Sequence, residues 1–167
     1  MLAMSRPTVG ADLEEIEAIY KRDLAKLQRL ATAVTGSREA GCDAVQDAFA
    51  QAVHRRGDFR REGTLEGWLW RIVLSRARDA ARRANATQPG VEDHHVASST
   101  DDAERAALHD AVARLPERQR FALFLRYYAD LDYGAIAEAL DVSVGTVGAT
   151  LSHARDNLYR LLMEVRT

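Results

Sequence analysis

Nine Arg and only four acids lie between His54 and Arg83, a net charge of +5, and a block of that sign suits the holding of a polyanion's phosphates. The rest of the chain is charged differently. Five acids against one Arg between Thr87 and Ala106 give -4, and seven Arg against eight acids between Ala107 and Thr167 give -1, so the whole-chain value of -2 conceals a local asymmetry. Two smaller patterns also carry binding chemistry. Asp43, Gln46 and Asp47 lie at i, i+3 and i+4, a polar helix face that suits a basic partner, beside apolar Val45 and Phe49. Ser143 and Thr146 stand where a helix begins, and there backbone amides and the helix dipole favour a phosphate. For the basic block and the Asp43 face, simple solvation is the alternative; for the Ser143 segment it is an ordinary helical hairpin.

No catalytic chemistry is legible. The sequence contains no paired carboxylates in a recognisable site, no His/Cys ligand cluster and no Gly-rich phosphate loop, so no catalytic residue, metal or cofactor is expected. Cys42 is the single cysteine, which excludes disulfides and Cys-based zinc sites together, and it reads as inert packing. His94 and His95, beside Glu92 and Asp93, sit on a flexible segment whose adjacent side chains do not converge on one ion. No stretch approaches the roughly 18 apolar residues of a membrane span, and Met1 to Ala11 lacks the basic-then-apolar order of a secretory signal. A cytoplasmic protein without membrane insertion is expected.

The elements that must position these residues read as helices. Three Pro, ten Gly and no alternating apolar run of strand length point to an all-α chain of two small helical domains joined by a flexible acidic linker. Leu13, Ile16, Tyr20, Leu24, Leu27, Ala31 and Val34 form one apolar stripe on a helix ending near Thr35-Gly36. Ser37 caps a second helix that buries Val45, Ala48, Phe49, Ala52 and Val53. After a polar loop, Arg55 to Gly63, Thr64 caps a third helix with Leu65, Trp68, Leu69, Ile72 and Val73 inward. The predicted domains are residues 12–84, a linker over 85–101, and residues 102–167. In the last, helical periodicity runs from Ala103 to Leu115, Pro116 suits a first helical position, and Phe121, Leu123, Phe124, Leu125 and Tyr128 supply apolar surface.

Asp132 to Leu151 has the layout of a helix-turn-helix. Ala137 is small enough for a close helix crossing, and Ile136 and Leu140 face the core. Asp141 occupies the turn, where an acidic side chain tolerates left-handed backbone. Ser143 caps the next helix, whose Val144, Val147, Leu151, Ala154, Leu158, Leu161 and Val165 make an inward stripe.

Asp43-Ala-Val-Gln-Asp-Ala-Phe49, the run from Phe59 through Trp68-Leu-Trp-Arg-Ile72, Leu115-Pro-Glu-Arg-Gln-Arg120 and the helix-turn-helix, in that order, resemble a bacterial sigma factor of the sigma-70 family, extracytoplasmic-function (ECF) group. The resemblance implies an alternative sigma factor that binds RNA polymerase core and directs promoter recognition and initiation. It implies docking of Asp43, Val45, Gln46, Asp47 and Phe49 on the clamp helices of the largest subunit, with the flap of the second-largest subunit as a further contact. Arg60, Arg61, Glu62, Gly63, Thr64 and Leu65 match the loop that captures an unpaired base of the -10 element, while Arg71, Ser75, Arg76 and Arg78 follow on the adjoining helix. Trp68 reads as core rather than as a stacking platform. Arg126, Ser143, Thr146, Gly148, Ala149, Thr150, Ser152, His153 and Arg155 match the -35 reading surface, and an anti-sigma partner is implied as well.

Two departures from the family pattern matter. Ser75 stands where Asn is usual in the Trp-Leu-x-Arg-Ile-x-x-Asn run. The recognition helix commonly reads Thr-Val-Lys/Arg-Ser-Arg-x-x-Arg-Ala-Arg, and here its first three basic positions are Gly148, Thr150 and His153. Weakened or altered -35 contacts are therefore expected. Two rival readings remain at this point: a sigma-like decoy that occupies polymerase without initiating, and a helix-turn-helix regulator that binds an operator without polymerase.

Overall fold

A computed structural model describes residues 10–87 and 100–165, and every regular element among them is helical. The chain divides into two compact units between Pro89 and Gly90.

The first unit is a three-helix bundle of α1 (Leu13–Thr35), α2 (Arg38–His54) and α3 (Leu65–Thr87), with a 3₁₀ turn at Arg56–Asp58 between the last two. Each start has a local cause. Asp12 and Glu15 form a reciprocal capping box on α1, Ser37 Oγ accepts from Ala40 N at 3.4 Å, and Thr64 Oγ1 accepts from Gly67 N at 3.0 Å. Gly36 ends α1 in left-handed backbone at φ 72°, a geometry that costs a residue without Cβ little.

Gly41 sets how closely α1 and α2 cross. A Cβ there would lie 2.6 Å from both the backbone nitrogen and the hydroxyl of Thr32, so only a hydrogen fits. The apolar faces then meet around Leu27, Leu30 and Ala31 of α1, Val45, Ala48 and Ala52 of α2, and Leu69, Val73 and Ala77 of α3. The expected stripes need correction at their edges. Leu13 is exposed, Val53, Leu65 and Ile72 are half-buried, and Trp70 and Leu74 are fully inside. Because α3 packs on both α1 and α2, its buried face is wider than a single stripe. Trp68 is buried against Phe59, ring centroids 5.5 Å apart, as core and not as a stacking platform.

Asp23 is buried within this unit, 3% exposed. Arg22 donates to it from Nη2 at 2.6 Å and Nε at 3.1 Å, and also reaches Glu66 on α3. The hydrogen bond it donates to Asp23 raises the Arg22 guanidinium above its already high range, so this tie between α1 and α3 keeps its charge.

The second unit comprises α4 (Thr100–Ala113), α5 (Glu117–Leu123), α6 (Tyr133–Leu140) and α7 (Val144–Val165). Pro116 is the cap of α5 rather than its first residue, extended at ψ 142°, and its carbonyl accepts from Gln119 N and Arg120 N. After α5 the backbone widens into a π turn over Phe124–Tyr128, where Ala129 N donates to Phe124 O at 3.0 Å. That turn, with Asp130 left-handed at φ 60°, brings Leu131 into the core at 1% exposure. Of the expected linker, Asn85 to Thr87 close α3 and Thr100 and Asp101 open α4, while residues 88–99, His94 and His95 among them, lie outside the described residues.

Gly41→Ala is expected to destabilise the first unit by about 1–3 kcal/mol through overpacking, a fall in Tm of roughly 4–8 °C per kcal/mol. Gly57→Ala, where nothing stands within 4 Å of the added carbon, is expected to be near neutral; thermal denaturation of both variants checks this.

Candidate nucleic-acid interface

The polar loop between α2 and α3 is tied down at both ends. Phe59 is buried in the bundle, and Thr64 caps α3. Backbone bonds join it to the chain preceding α1: Gly10 N donates to Phe59 O at 3.1 Å and Ala11 N to Arg56 O at 2.8 Å. Arg60, Glu62, Gly63 and Thr64 are exposed and Leu65 is half-buried. Arg61 is placed differently from its neighbours. Its backbone is left-handed at φ 57°, and its guanidinium donates to Gly10 O from Nε and to Glu15 from Nη2, both at 3.0 Å.

On α3, Arg71, Ser75 and Arg78 lie at i, i+4 and i+7 and so share a face, with Ser75 exposed and both Arg half-buried. Arg76, on an adjoining row, donates from Nε to Gln51 Oε1 at 2.8 Å and braces α3 against α2. The five residues singled out on α2 split cleanly. Asp43, Gln46 and Asp47 are exposed together, whereas Val45 is wholly buried and Phe49 packs edge-on against Tyr20 at 4.8 Å. The buried pair anchors the helix that displays the polar three.

In the second unit Asp141 and Ser143 stand as the sequence suggested, and Asp132 adds a cap that it did not. Asp132 caps α6 by accepting from Ala135 N at 2.8 Å, and Asp141 is left-handed at φ 55°, closing the helix with a bond from Val142 N to Ala137 O. Ser143 Oγ accepts from Thr146 N at 3.1 Å and lies 2.8 Å from the Thr146 hydroxyl. Val147, Leu151 and Ala154 are buried, but Val144 is 52% exposed, so the inward stripe of α7 starts one turn later than expected.

On the outer side of α7, Ala149, Ser152, His153 and Arg155 are exposed and Thr146, Gly148 and Thr150 are half-buried. Gly148 faces a residue that sequence reasoning missed: a Cβ there would meet the Tyr133 ring at 3.8 Å. Arg126 serves the same corner, its Nη1 donating to Leu131 O at 3.0 Å and its guanidinium 5.8 Å from the Tyr133 ring centre. Among the described residues no group of three or more His, Cys, Asp or Glu could hold a metal ion, and no helix is long and apolar enough to cross a membrane.

Residues 19–87 match the family Sigma-70 region 2, and residues 105–158 match Sigma-70, region 4. The chain is 34% identical over 162 residues to ECF RNA polymerase sigma factor SigM of Mycobacterium tuberculosis (strain H37Rv), covering 95% of this chain and 83% of that protein. The chain belongs to the ECF group of the sigma-70 family. RNA polymerase sigma-H factor of Pseudomonas aeruginosa is 30% identical over 138 residues, 72% of each chain. Two solved structures share the fold. CnrH, solved in complex with the cytosolic domain of CnrY, gives a TM-score of 0.66 at 24% identity over 92% of this chain and 91% of that one. RpoE of Bartonella quintana, solved with the anti-sigma factor NepR, gives 0.68 at 20% identity over 90% and 98%.

This sigma factor is an alternative specificity subunit: it binds RNA polymerase and promoter DNA and directs transcription initiation. Its region 2 match spans the basic block, and its region 4 match spans the helix-turn-helix. The residues that sequence reasoning overlooked are those that tie the loop down, Gly10, Ala11 and Glu15, and the Tyr133 ring beside Gly148. Asp12-Leu-Glu-Glu15 carries a legible capping-box signature, but nothing local in the sequence announces its bond to Arg61.

Ser143→Ala removes the α7 cap and is expected to cost about 1 kcal/mol of stability. Asp141→Val, which forces a β-branched residue into left-handed backbone, should cost about 1–2 kcal/mol, and Asp141→Gly should be tolerated. Urea denaturation followed by circular dichroism distinguishes the three.

Proposed function

We propose that this sigma factor draws its hold on promoter DNA chiefly from its first unit, with a reduced or altered contribution from the -35 element. Asp43, Gln46 and Asp47 dock on the clamp helices of the largest polymerase subunit, and the second unit meets the flap of the second-largest. The loop at Arg60–Leu65 captures an unpaired -10 base, and the α3 face of Arg71, Ser75 and Arg78 follows the strand. The chain acts in the cytoplasm as a specificity subunit, not as a catalyst. Because similar proteins have been solved with the cytosolic domain of CnrY and with the anti-sigma factor NepR, an anti-sigma partner is part of this reading.

One observation carries the claim about -35. From Val144 to Ala154, α7 contains no Lys or Arg, and Arg155 is its first cation. Each bidentate Arg–guanine pair is worth roughly 1–3 kcal/mol of base discrimination, and each phosphate contact about 0.9 in the salt slope, so three absent cations outweigh any cap or hydroxyl contact in their place. Arg126, which accompanies them at the edge of the site, already donates to Leu131 O.

Run-off transcription by holoenzyme reconstituted from bacterial core and the full chain tests the proposal. Scrambling the -35 block of a promoter it uses is expected to reduce transcription less than tenfold, while scrambling the -10 block abolishes it. A loss at -35 equal to that of an ECF factor with the full basic helix would overturn the reading. Binding of core without any transcript would instead support a decoy.

A further inference from the structure

Arg61 belongs by position to the loop assigned to base capture, yet its side chain reaches back to the N-terminal end of α1. Two of its nitrogens donate to the preceding chain, Nε to Gly10 O and Nη2 to Glu15 Oε2. The same Glu15 oxygen accepts from Asp12 N at 3.2 Å, so the capping box of α1 and the loop share one carboxylate. Gly10 completes the seam: its own amide bonds Phe59 O, and a Cβ on it would stand 3.0 Å from Arg56 O, which reserves the position for glycine. Arg61 holds a left-handed backbone, uncommon for a residue with a long side chain, and its side-chain bonds offset that strain.

The pair is too exposed to matter much for global stability, with Arg61 43% and Glu15 48% exposed. Its consequence is local. A loop that receives an unpaired base must otherwise be ordered at the moment of binding, and fixing it beforehand removes that cost from the melting step.

We propose that Arg61 is a positioning residue. With Glu15 and Gly10 it sets the loop Arg60–Thr64 in the shape that accepts the unpaired -10 base, so that Arg60, Glu62 and Thr64 face the DNA and Arg61 faces α1. This rests on the assignment of the loop to -10 capture made above.

The test uses full-chain holoenzyme on a promoter that the wild type transcribes, offered as duplex and with the -10 segment pre-melted. Arg61→Gly keeps the left-handed backbone without strain and removes only the side chain, so folding is preserved; Glu15→Ala removes the partner, and Glu15→Gln retains an acceptor. Arg61→Gly and Glu15→Ala are each expected to slow open-complex formation about tenfold on duplex, the effect of losing a charge-assisted hydrogen bond, and the double variant to be no slower. Glu15→Gln should stay within about threefold of wild type. The salt slope of promoter binding should not change, because no phosphate contact is lost. A defect in Arg61→Gly with a normal Glu15→Ala, together with a slope shallower by about 0.7–0.9, would make Arg61 a DNA contact and overturn the proposal. A wild-type holoenzyme that melts no promoter would fail the functional reading instead, before any variant is compared.

Discussion

Promoter DNA carries one negative charge for about every 1.7 Å of its axis, and a protein can follow it only where its cations outnumber its acids. In this sigma factor the excess of cations is greatest over His54 to Arg83, a net +5, and is reversed soon afterwards. The arrangement of the molecule follows from the partition. The basic stretch is built as a loop and one long helix, held on a bundle whose opposite assets are acidic: Asp43 and Asp47 on α2. The sequence that follows carries no such net excess of cations, and the helix-turn-helix is built on turn chemistry and apolar packing.

Several guanidiniums inside the basic stretch are spent on the protein itself. Arg61 ties the loop to α1, Arg76 braces α3 against Gln51 of α2, and Arg82 pairs with Asp79. These internal bonds convert a flexible basic segment into a shaped one. The Arg61 bonds act at the N-terminal end of α1, while near its other end the bare Cα of Gly41 against Thr32 sets how closely α2 crosses it.

How much of this was legible follows from the range of each signal. Caps and turns act over three or four residues, and so Ser37, Thr64, Asp141 and Ser143 could be read from the sequence and stand where expected. Family order and spacing carried the rest of the assignment. What escaped is tertiary. Burial of Trp70 and Leu74 reflects contact with two helices at once, the buried Asp23 is paired with Arg22, whose guanidinium also reaches across to Glu66 of α3, and the π turn after α5 has no residue signature of its own. The inward reach of Arg61 and the Tyr133 ring beside Gly148 join residues 46 and 15 positions apart, beyond any local pattern. The family resemblance places Val45 and Phe49 with the docking surface, and burial separates them from the exposed Asp43, Gln46 and Asp47.

The partition of cations between the units is the central claim, and restoring the missing ones tests it most directly. A Cβ at position 148 meets the Tyr133 ring at ordinary van der Waals distance, and His153 is exposed. Holoenzyme carrying Gly148→Lys, Thr150→Arg and His153→Arg together should bind duplex promoter DNA with a salt slope steeper by up to about 0.9 for each cation that reaches a phosphate, and should gain dependence on the -35 block. An unchanged slope with unchanged -35 dependence would contradict the account, because it would mean that the present helix already holds that DNA by other means.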